Sequence, residues 1–458
     1  MIAKVLVLLQ EKKYALARQA VLEMNAVDIA DIFEQLEELD APQTSLRLFR
    51  LLPKELAAET FSYMDSDVQE SIIEAISDNE LRFILDDMYM DDYVDLVEEM
   101  PANVVKRLLA NSSAENRKLI NEYLQYPEDS AGSIMTNEYI YLRPNVTVKE
   151  AFNIIRKTGV DKETIYTCYV VDAARRLEGV VTVRELLLAD PEAKVADIMS
   201  TNVIHAHTLD DKEEIAKTFS RYDMLSLPVV DKEERLVGII TIDDAVDVMQ
   251  EETTEDFEMM AGIAPSEDAY LKMPVFSLAK NRIIWLMVLM FSAMLSGAML
   301  EHYEAAIASL PLLVSFIPML MDTGGNCGSQ ASTMIIRSMA LDEIDSSDFL
   351  RVWWKEIRVA LLCGCTLSVM NFARIYLQYG VLASSPDPDA IRIAAVVSLA
   401  LIATVCVAKS LGCILPMLAK RFKLDPALMA APMITTVTDV CSILVFFTLA
   451  MAILRDRL

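Results

Sequence analysis

The side chains of this sequence best suited to chemistry are carboxylates, and one of them lies inside an apolar segment. Asp439 ends the run Pro432-Met-Ile-Thr-Thr-Val-Thr-Asp439. If a helix begins near Asp425, Asp439 lies about 20 Å along it, at about 1.5 Å per residue. The hydroxyls of Thr435 and Thr436 are close in sequence, and Pro432 would free a backbone carbonyl. Oxygen groups of this kind suit a hard cation.

A second polar segment interrupts another apolar stretch and reads Pro318-Met-Leu-Met-Asp-Thr-Gly-Gly-Asn-Cys-Gly-Ser-Gln330. Broken helix at membrane depth is tolerated where it lines a cavity or is covered by protein. The segment therefore predicts an interrupted helix beside an ion path, and the alternative is helix packing through small residues. The predicted lining residues are Gly325, Asn326, Pro432, Thr435 and Thr436.

Charged residues inside apolar segments usually face a cavity or a partner. Asp322, Arg374 and Lys409 are in this position, as is Asp439. The two basic side chains are explained equally well by snorkelling or pairing. The alternative for Asp439 is therefore a structural ion pair with Lys409 or Arg374.

A dense group of carboxylates lies in the first third of the chain, at Asp86, Asp87, Asp91, Asp92 and Asp95. Asp91 and Asp95 are four residues apart, so they share one face of a helix and repel each other. A divalent ion would relieve this repulsion. The alternative is an ordinary solvated face.

A helix that begins near Asp243 carries a further acidic stripe. Five carboxylates recur at steps of three or four residues, which places them on one face of the helix: Asp244, Asp247, Glu251, Glu255 and Glu258. We interpret the stripe as a surface that binds divalent cations against another acidic surface. A solvated acidic linker is the alternative.

The elements that must position these residues fall into an acidic part and an apolar part. The 458 residues carry a net charge of −27, all of it within residues 1–260. This acidity argues against a nucleic-acid partner and favours cations. The only apolar run near the N-terminus, residues 5–9, is too short for a signal peptide, so we expect a cytoplasmic N-terminus.

The apolar part predicts five membrane spans, since a spanning helix needs about 20 mostly apolar residues. The spans begin at Ile283, Ala305, Val359, Ile393 and Pro426. Lys and Arg concentrate in the loops on the side of the N-terminus, which predicts that this side is cytoplasmic and that the C-terminus lies outside.

The acidic part contains two kinds of repeat. Residues 1–127 read as short helices with starts at Pro53, Asp65, Asp78, Asp91 and Pro101, which predicts a small helical superhelix. Between residues 137 and 250, four strand-like runs alternate with helical stretches. The run RRLEGVVTVRELL from Arg175 matches ERLVGIITIDDAV from Glu234, so two similar α/β units are expected to pack face to face.

The whole chain resembles the MgtE family of magnesium channels. The segment from Pro318 to Gln330 and the run Leu424-Asp-Pro-Ala…Pro432-x-x-Thr-Thr-x-x-Asp439 carry the resemblance, together with the order of the parts. It implies a multidomain membrane protein. Its parts would be an α-helical, superhelical N-terminal domain (1–130), a tandem pair of α/β cystathionine-β-synthase-type (CBS) domains (131–250), an acidic connecting helix (251–280) and a five-helix transmembrane domain (281–458).

The resemblance also implies a mechanism. Two copies would form one path on their two-fold axis in the inner (plasma) membrane, where Asp439 holds hydrated Mg²⁺ and Asp425 lies near the cytoplasmic mouth. Mg²⁺ bound between Asp91, Asp95 and the stripe from Asp244 to Glu258 would close it. The family's CBS pair can bind ATP, and Thr241 and Asp244 resemble one end of such a site.

Two other functions remain open. The first is transport of another divalent cation, such as Co²⁺ or Mn²⁺, although soft-metal selectivity would require Cys, Met or His along the path. The second is a membrane-anchored Mg²⁺ or nucleotide sensor that conducts nothing, for which an intramembrane Asp439 is unnecessary. We expect no enzymatic activity, because the sequence has no nucleophile–base arrangement.

Overall fold

The computed structural model describes residues 1–266, 270–271, 273–309, 311–382, 389–429 and 431–455, with the backbone alone at 161, 305 and 306. The chain divides into two compact units, Met1–Met249 and Gln250–Leu458.

The first unit begins with short helices: α1 (Ile2–Gln10), α2 (Tyr14–Val21), α3 (Ala26–Glu38), α4 (Pro42–Phe49), α5 (Lys54–Ser62), α6 (Ser66–Ala75), α7 (Asp78–Asp87), α8 (Met90–Glu99), α9 (Ala102–Asn111) and α10 (Ala114–Tyr123). The predicted helical N-terminal domain is confirmed. Pro53, Asp65 and Pro101 are the N-caps of α5, α6 and α9. Such residues end one helix and begin the next at short intervals, so the chain changes direction often. The helices pack around one apolar core, which includes Phe33, Phe61 and Tyr93.

Two α/β repeats follow. The first contains β1 (Ile140–Leu142), α11 (Val148–Thr158), β2 (Thr167–Val171), β3 (Leu177–Thr182), α12 (Val183–Leu188) and α13 (Val195–Ile198). The second contains β4 (Ala206–His207), α14 (Lys212–Tyr222), β5 (Ser226–Val230), β6 (Leu236–Thr241) and α15 (Ile242–Met260). In each sheet the first pair of strands is parallel and the second antiparallel, and the register shifts at the same place, Val170/Val171 and Val229/Val230. The predicted repeat is therefore present, while β1 and β4 were too short to be predicted.

The acidic connecting helix differs from the prediction. We expected helix over 251–280, but α15 ends at Met260, and Gly262 then has a φ of +70°. A left-handed residue at this point turns the chain, because glycine adopts positive φ without strain.

The second unit contains α16 (Val275–His302), α17 (Glu304–Ser309), α18 (Ile317–Ala340), α19 (Phe349–Ile375), α20 (Ala390–Arg421) and α21 (Ala431–Ile453). Four stretches of the described residues are long and apolar enough to cross a membrane: Val275–His302, Ser346–Val381, Ala390–Arg421 and Pro426–Ile453. They coincide with four of the five predicted spans. The remaining predicted span, from Ala305, is instead divided into α17, the 3₁₀ helix Pro311–Phe316 and α18.

The glycine-rich segment is an unbroken helix, which corrects the predicted interruption. Gly324, Gly325 and Gly328 are buried within α18. A Cβ on Gly324 would lie 2.9 Å from Thr404 in α20, and one on Gly325 would lie 2.9 Å from Thr435 in α21. The glycines therefore let three helices approach closely, as the packing alternative predicted.

Candidate metal centre and ion path

Three carboxylates from three parts of the first unit converge on one point. Asp91 comes from α8, Glu163 from the segment between α11 and β2, and Asp244 from the first turn of α15. One oxygen from each lies within 4.8 Å of the others. Among the described atoms, Asp91 Oδ1 and Glu163 Oε2 are buried without a hydrogen-bond partner. Buried oxygens of this kind require a cation or a proton.

The electrostatics of this cluster agree with its geometry. Burial, then repulsion from Asp244, raises the pKa of Asp91 well above its ordinary value. The same causes raise the pKa of Glu163 to about 8. Burial and the Asp243 carboxylate raise the pKa of Asp244 to about 6, although Thr241 opposes this by hydrogen bonding. Three carboxylates that resist ionisation together form a fitting set of oxygen ligands for a hard divalent cation.

Further carboxylates surround the cluster, and several are predicted site residues. Burial and the charges of Asp92 and Asp244 raise the pKa of Asp95 to about 7. Burial raises the pKa of the Tyr63 phenol, and the nearby Asp247 carboxylate adds a little to this effect. The structure thus places Asp95 near Asp244 and Asp91 beside it, and metal binding by these residues stays a prediction. Glu163 was missed, because it sits in a short irregular segment without periodicity that could reveal its direction.

The rest of the acidic stripe lies farther along α15, beyond Met249, where the second compact unit begins. Glu251 and Glu255 are on this part of the helix. Glu258 Oε2 accepts a hydrogen bond of 2.9 Å from the backbone N–H of Ser266. For these three residues, metal binding stays a prediction.

Thr241 and Asp244, the predicted nucleotide-binding pair, contact each other. The Thr241 hydroxyl donates to Asp244 Oδ2 at 2.6 Å, and the Thr241 N–H lies 3.2 Å from the same oxygen. Thr182 and Glu185 make the equivalent capping contacts at the start of α12 in the first repeat. The resemblance between these two segments therefore reflects a shared helix cap.

In the second unit, polar side chains mark one face of α18. Asp322, Asn326 and Gln330 are accessible and four residues apart, whereas Gly324, Gly325 and Gly328 are buried. Of the predicted lining residues, Asn326 is thus exposed on this face, whereas Gly325 is a packing contact with Thr435.

Asp439 lies on α21, partly buried, and its carboxylate is close enough to Asp322 for mutual repulsion. Because α21 begins at Ala431, Asp439 is about 12 Å along the helix rather than about 20 Å. Pro432 is in the first turn and does not break the helix. Its carbonyl accepts hydrogen bonds from the hydroxyls of Thr435 (2.9 Å) and Thr436 (3.0 Å).

The alternative role of Asp439 as an ion-pair partner is not observed among the described contacts. Lys409 Nζ lies 3.5 Å from Glu356 Oε2 on α19. The Arg374 guanidinium donates to Asn371 Oδ1 at 3.0 Å. Both basic groups thus have other polar partners.

Asp425 makes a local contact: its Oδ1 accepts from the Ala427 N–H at 2.7 Å and caps the 3₁₀ helix Pro426–Met429. Its predicted place at the mouth of the path stays a prediction.

The chain therefore combines a helical domain, paired α/β repeats with a carboxylate cluster, and an apolar helical unit with a carboxylate-bearing face. Residues 317–449 match the MgtE family, described as a divalent cation transporter. Residues 24–129 match the MgtE intracellular N domain, and residues 131–192 and 195–251 match the CBS domain. The chain belongs to the MgtE family.

Relatives span almost the full chain. The magnesium transporter MgtE of Thermus thermophilus is 34% identical over 97% of this chain and 99% of its own length. The magnesium transporter MgtE of Bacillus subtilis is 30% identical over 100% and 98%. These matches to transporters confirm the expectation that the chain is not an enzyme.

A solved structure is similar to about half of the chain. The cytosolic domain of the Mg²⁺ channel MgtE in complex with ATP is 35% identical, with a TM-score of 0.51 over 54% of this chain and 100% of that one.

Proposed function

We propose that the chain is a homodimeric Mg²⁺ channel that is closed by Mg²⁺ bound to its soluble part. The observation that carries the proposal is the polar face of α18 and α21, on which Asp322 and Asn326 accompany Asp439. The long helices around this face, α16, α19, α20 and the rest of α21, are largely apolar. A polar face of this kind is not stable against lipid, so it must line water or meet protein.

A second copy of the chain would satisfy this requirement. Two identical faces related by a two-fold axis bring each Asp439 towards its counterpart and enclose an aqueous path. Carboxylate and amide oxygens are hard ligands, and Mg²⁺ keeps several of its waters when bound. A hydrated Mg²⁺ ion between two such faces is therefore the cargo that the side chains fit. The relatives that are named magnesium transporters support the same ion.

The cluster of Asp91, Glu163 and Asp244 fits a regulatory site. Mg²⁺ bound by these oxygens would hold α8 against the start of α15, and without metal the carboxylates would repel. The chain continues from α15 through residues 261–274 into α16, so the position of α15 is linked covalently to the apolar unit. A ligand that binds one state better shifts the equilibrium towards it, so Mg²⁺ in the cytoplasm would close the channel.

The basic loops support a path through the plasma (inner) membrane with the N-terminus in the cytoplasm and the C-terminus outside. ATP binding by the CBS pair is a further proposal, supported by the related cytosolic domain, whose structure was solved in complex with ATP. It predicts saturable binding of ATP to the full-length protein and its loss when Thr241 is replaced by Ala.

The test is ion flux into liposomes that contain the full-length protein, with an internal Mg²⁺ indicator. Asp439→Asn should remove most of the flux. Asp342→Asn is the matched control, because Asp342 is exposed in the turn after α18 at a φ of +54°, which Asn tolerates well.

Each outcome has a distinct meaning. Flux of Mg²⁺ that requires Asp439 and declines when internal Mg²⁺ is high supports both the path and the gate. Flux of Co²⁺ or Mn²⁺ without flux of Mg²⁺ would show that the transported ion is not Mg²⁺. Folded protein that conducts no ion at low internal Mg²⁺ would indicate the non-conducting sensor instead.

A further inference from the structure

A cluster that is separate from the carboxylates described above lies on the second α/β repeat. Two of the three histidines of the chain, His205 and His207, flank Ala206 at the start of β4. Alternate residues of an extended segment point to the same side. Ala206 is buried, and both histidines are on the accessible side.

One carboxylate joins the two imidazoles. Glu234, in the turn between β5 and β6, places its Oε2 3.5 Å from His205 Nε2 and its Oε1 3.5 Å from His207 Nε2. The imidazole rings are 5.4 Å apart between centroids. One ligand atom of each residue lies within 4.8 Å of the others. The turn holds Glu234 at a φ of +63°, so its backbone is in the left-handed conformation beside the histidines.

The other nitrogen of each imidazole also faces an oxygen. His205 Nδ1 is 3.2 Å from the Val203 carbonyl, and His207 Nδ1 is 3.7 Å from Asp210 Oδ2. Asp210 Oδ2 is itself fixed, because it accepts a hydrogen bond of 2.7 Å from the His207 N–H. An Nδ1–H that points at an oxygen leaves the Nε2 lone pair free. In proteins this outer contact commonly orients a metal-binding histidine.

We propose that His205, His207 and Glu234 form a binding site for a borderline transition-metal ion such as Zn²⁺, Ni²⁺ or Co²⁺. With bonds of about 2.0–2.2 Å, two ligand atoms of a tetrahedral Zn²⁺ site are about 3.4 Å apart. Each Nε2 atom lies 3.5 Å from one Glu234 oxygen, close to this value, although the two oxygens differ. One ligand atom from each of the three residues lies within 4.8 Å of the others, so a small movement of the side chains would bring them to the bonding distances. Water would supply the remaining ligand at this exposed position.

The chemistry of the ligands separates this site from those that would take Mg²⁺. Imidazole nitrogen suits Zn²⁺, Ni²⁺ and Co²⁺, whereas Mg²⁺ requires oxygen ligands. A millimolar excess of Mg²⁺ should therefore leave the histidine site available. The competing interpretation is a simple attraction between protonated imidazoles and Glu234 without metal.

The experiment is a titration of full-length protein in detergent with Zn²⁺ by calorimetry, with excess Mg²⁺ present throughout. One Zn²⁺ should bind per chain in the unaltered protein. His207→Ala and His205→Ala should each weaken binding by about tenfold or more, as loss of a ligand or its support does. His302→Ala is the matched control, because His302 is the third histidine and ends α16.

The outcomes separate the interpretations. If Zn²⁺ binding is lost in the His205 and His207 variants but retained in the His302 variant, the proposed site is supported. Absence of Zn²⁺ binding, or equal binding by all variants, overturns it. Because His205, His207 and His302 are exposed, their variants should keep the circular dichroism spectrum of the unaltered protein. Mg²⁺ flux measured without Zn²⁺ should not change in these variants. The Zn²⁺ site and the proposed channel function are therefore tested separately.

Discussion

The carboxylates of Asp91 and Asp244 belong to different domains of the first compact unit, yet together with Glu163 they place oxygens within 4.8 Å of one another. Asp91 is only 8% exposed, and Asp244, in the first turn of α15, also accepts hydrogen bonds from the hydroxyl and backbone N–H of Thr241. Contact between the helical domain and the second α/β repeat is therefore made partly through charges of the same sign.

Removal of one charge from this cluster should raise the thermal stability of the metal-free protein and weaken its regulation by Mg²⁺. Asp91→Asn should raise the thermal midpoint of the metal-free protein by about 2–8 °C, because a buried repulsion disappears. The same variant should gain less stability from added Mg²⁺, and its flux should no longer decline at high internal Mg²⁺.

Scanning fluorimetry with and without Mg²⁺ measures the first effect, and liposome flux measures the second. Asp87→Asn, an exposed carboxylate on α7, is the control. Equal behaviour of the two variants would show that Asp91 is not part of a metal site.

Protons should compete with Mg²⁺ at this cluster. The pKa values of Glu163 and Asp244 are raised to about 8 and about 6. Raised values mean that protonation stabilises the metal-free fold, and that this stability is lost as the pH rises through about 6 and then about 8. The charged form that Mg²⁺ requires is thus favoured at high pH.

We expect the Mg²⁺ affinity of the soluble cluster to fall by about tenfold or more between about pH 8 and about pH 6, with proton release on binding. Calorimetry in two buffers of different ionisation enthalpy measures both quantities. Glu163→Gln should reduce the number of released protons, and an affinity that is constant over this range would contradict the assignment.

Close packing of α18 and α20 should tolerate no side chain at Gly412. A Cβ there would collide with the backbone carbonyl of Gly328, whereas a Cβ on Gly297 in α16 would meet nothing within 4 Å. Gly412→Ala should therefore lower the thermal midpoint in detergent by several degrees, and Gly297→Ala should leave it nearly unchanged or raise it. Similar effects of the two substitutions would mean that α18 and α20 are not in this contact.

The pair of Lys409 and Glu356 should behave as a unit. Their side chains are 7% and 16% exposed. Lys409→Met should destabilise the protein by about 3–5 kcal/mol, because it leaves a buried carboxylate alone. The double variant with Glu356→Gln should recover much of the loss. A thermodynamic cycle of the four proteins measures the coupling, and simple additivity would argue that the two groups do not interact.

The sequence predicted the arrangement of domains because each has its own periodicity: short capped helices, a repeated α/β unit and long apolar runs. It also indicated Asp91 and Asp95, since carboxylates four residues apart share a helix face. Their pairing with Asp244 followed only from the family resemblance, because Asp244 is on another helix, and metal binding by the three stays a prediction. Glu163 could not be predicted in this way, because an irregular segment has no period. The glycines of α18 were misinterpreted as a break, since a glycine-rich run fits equally well with a broken helix or with close packing. The two interpretations are distinguished only by the residues of α20 and α21 that these glycines contact.

The polar face of α18 has a consequence for biosynthesis. This helix is not among the four described stretches that are apolar enough to cross a membrane. Its buried small residues contact α20 and α21, which are made later. Since insertion machinery selects segments by hydrophobicity, α18 should remain outside the bilayer when it first leaves the ribosome and enter only once its neighbours are available. Chains truncated before α20 should therefore expose residues 317–340 to water-soluble labels that the complete protein excludes.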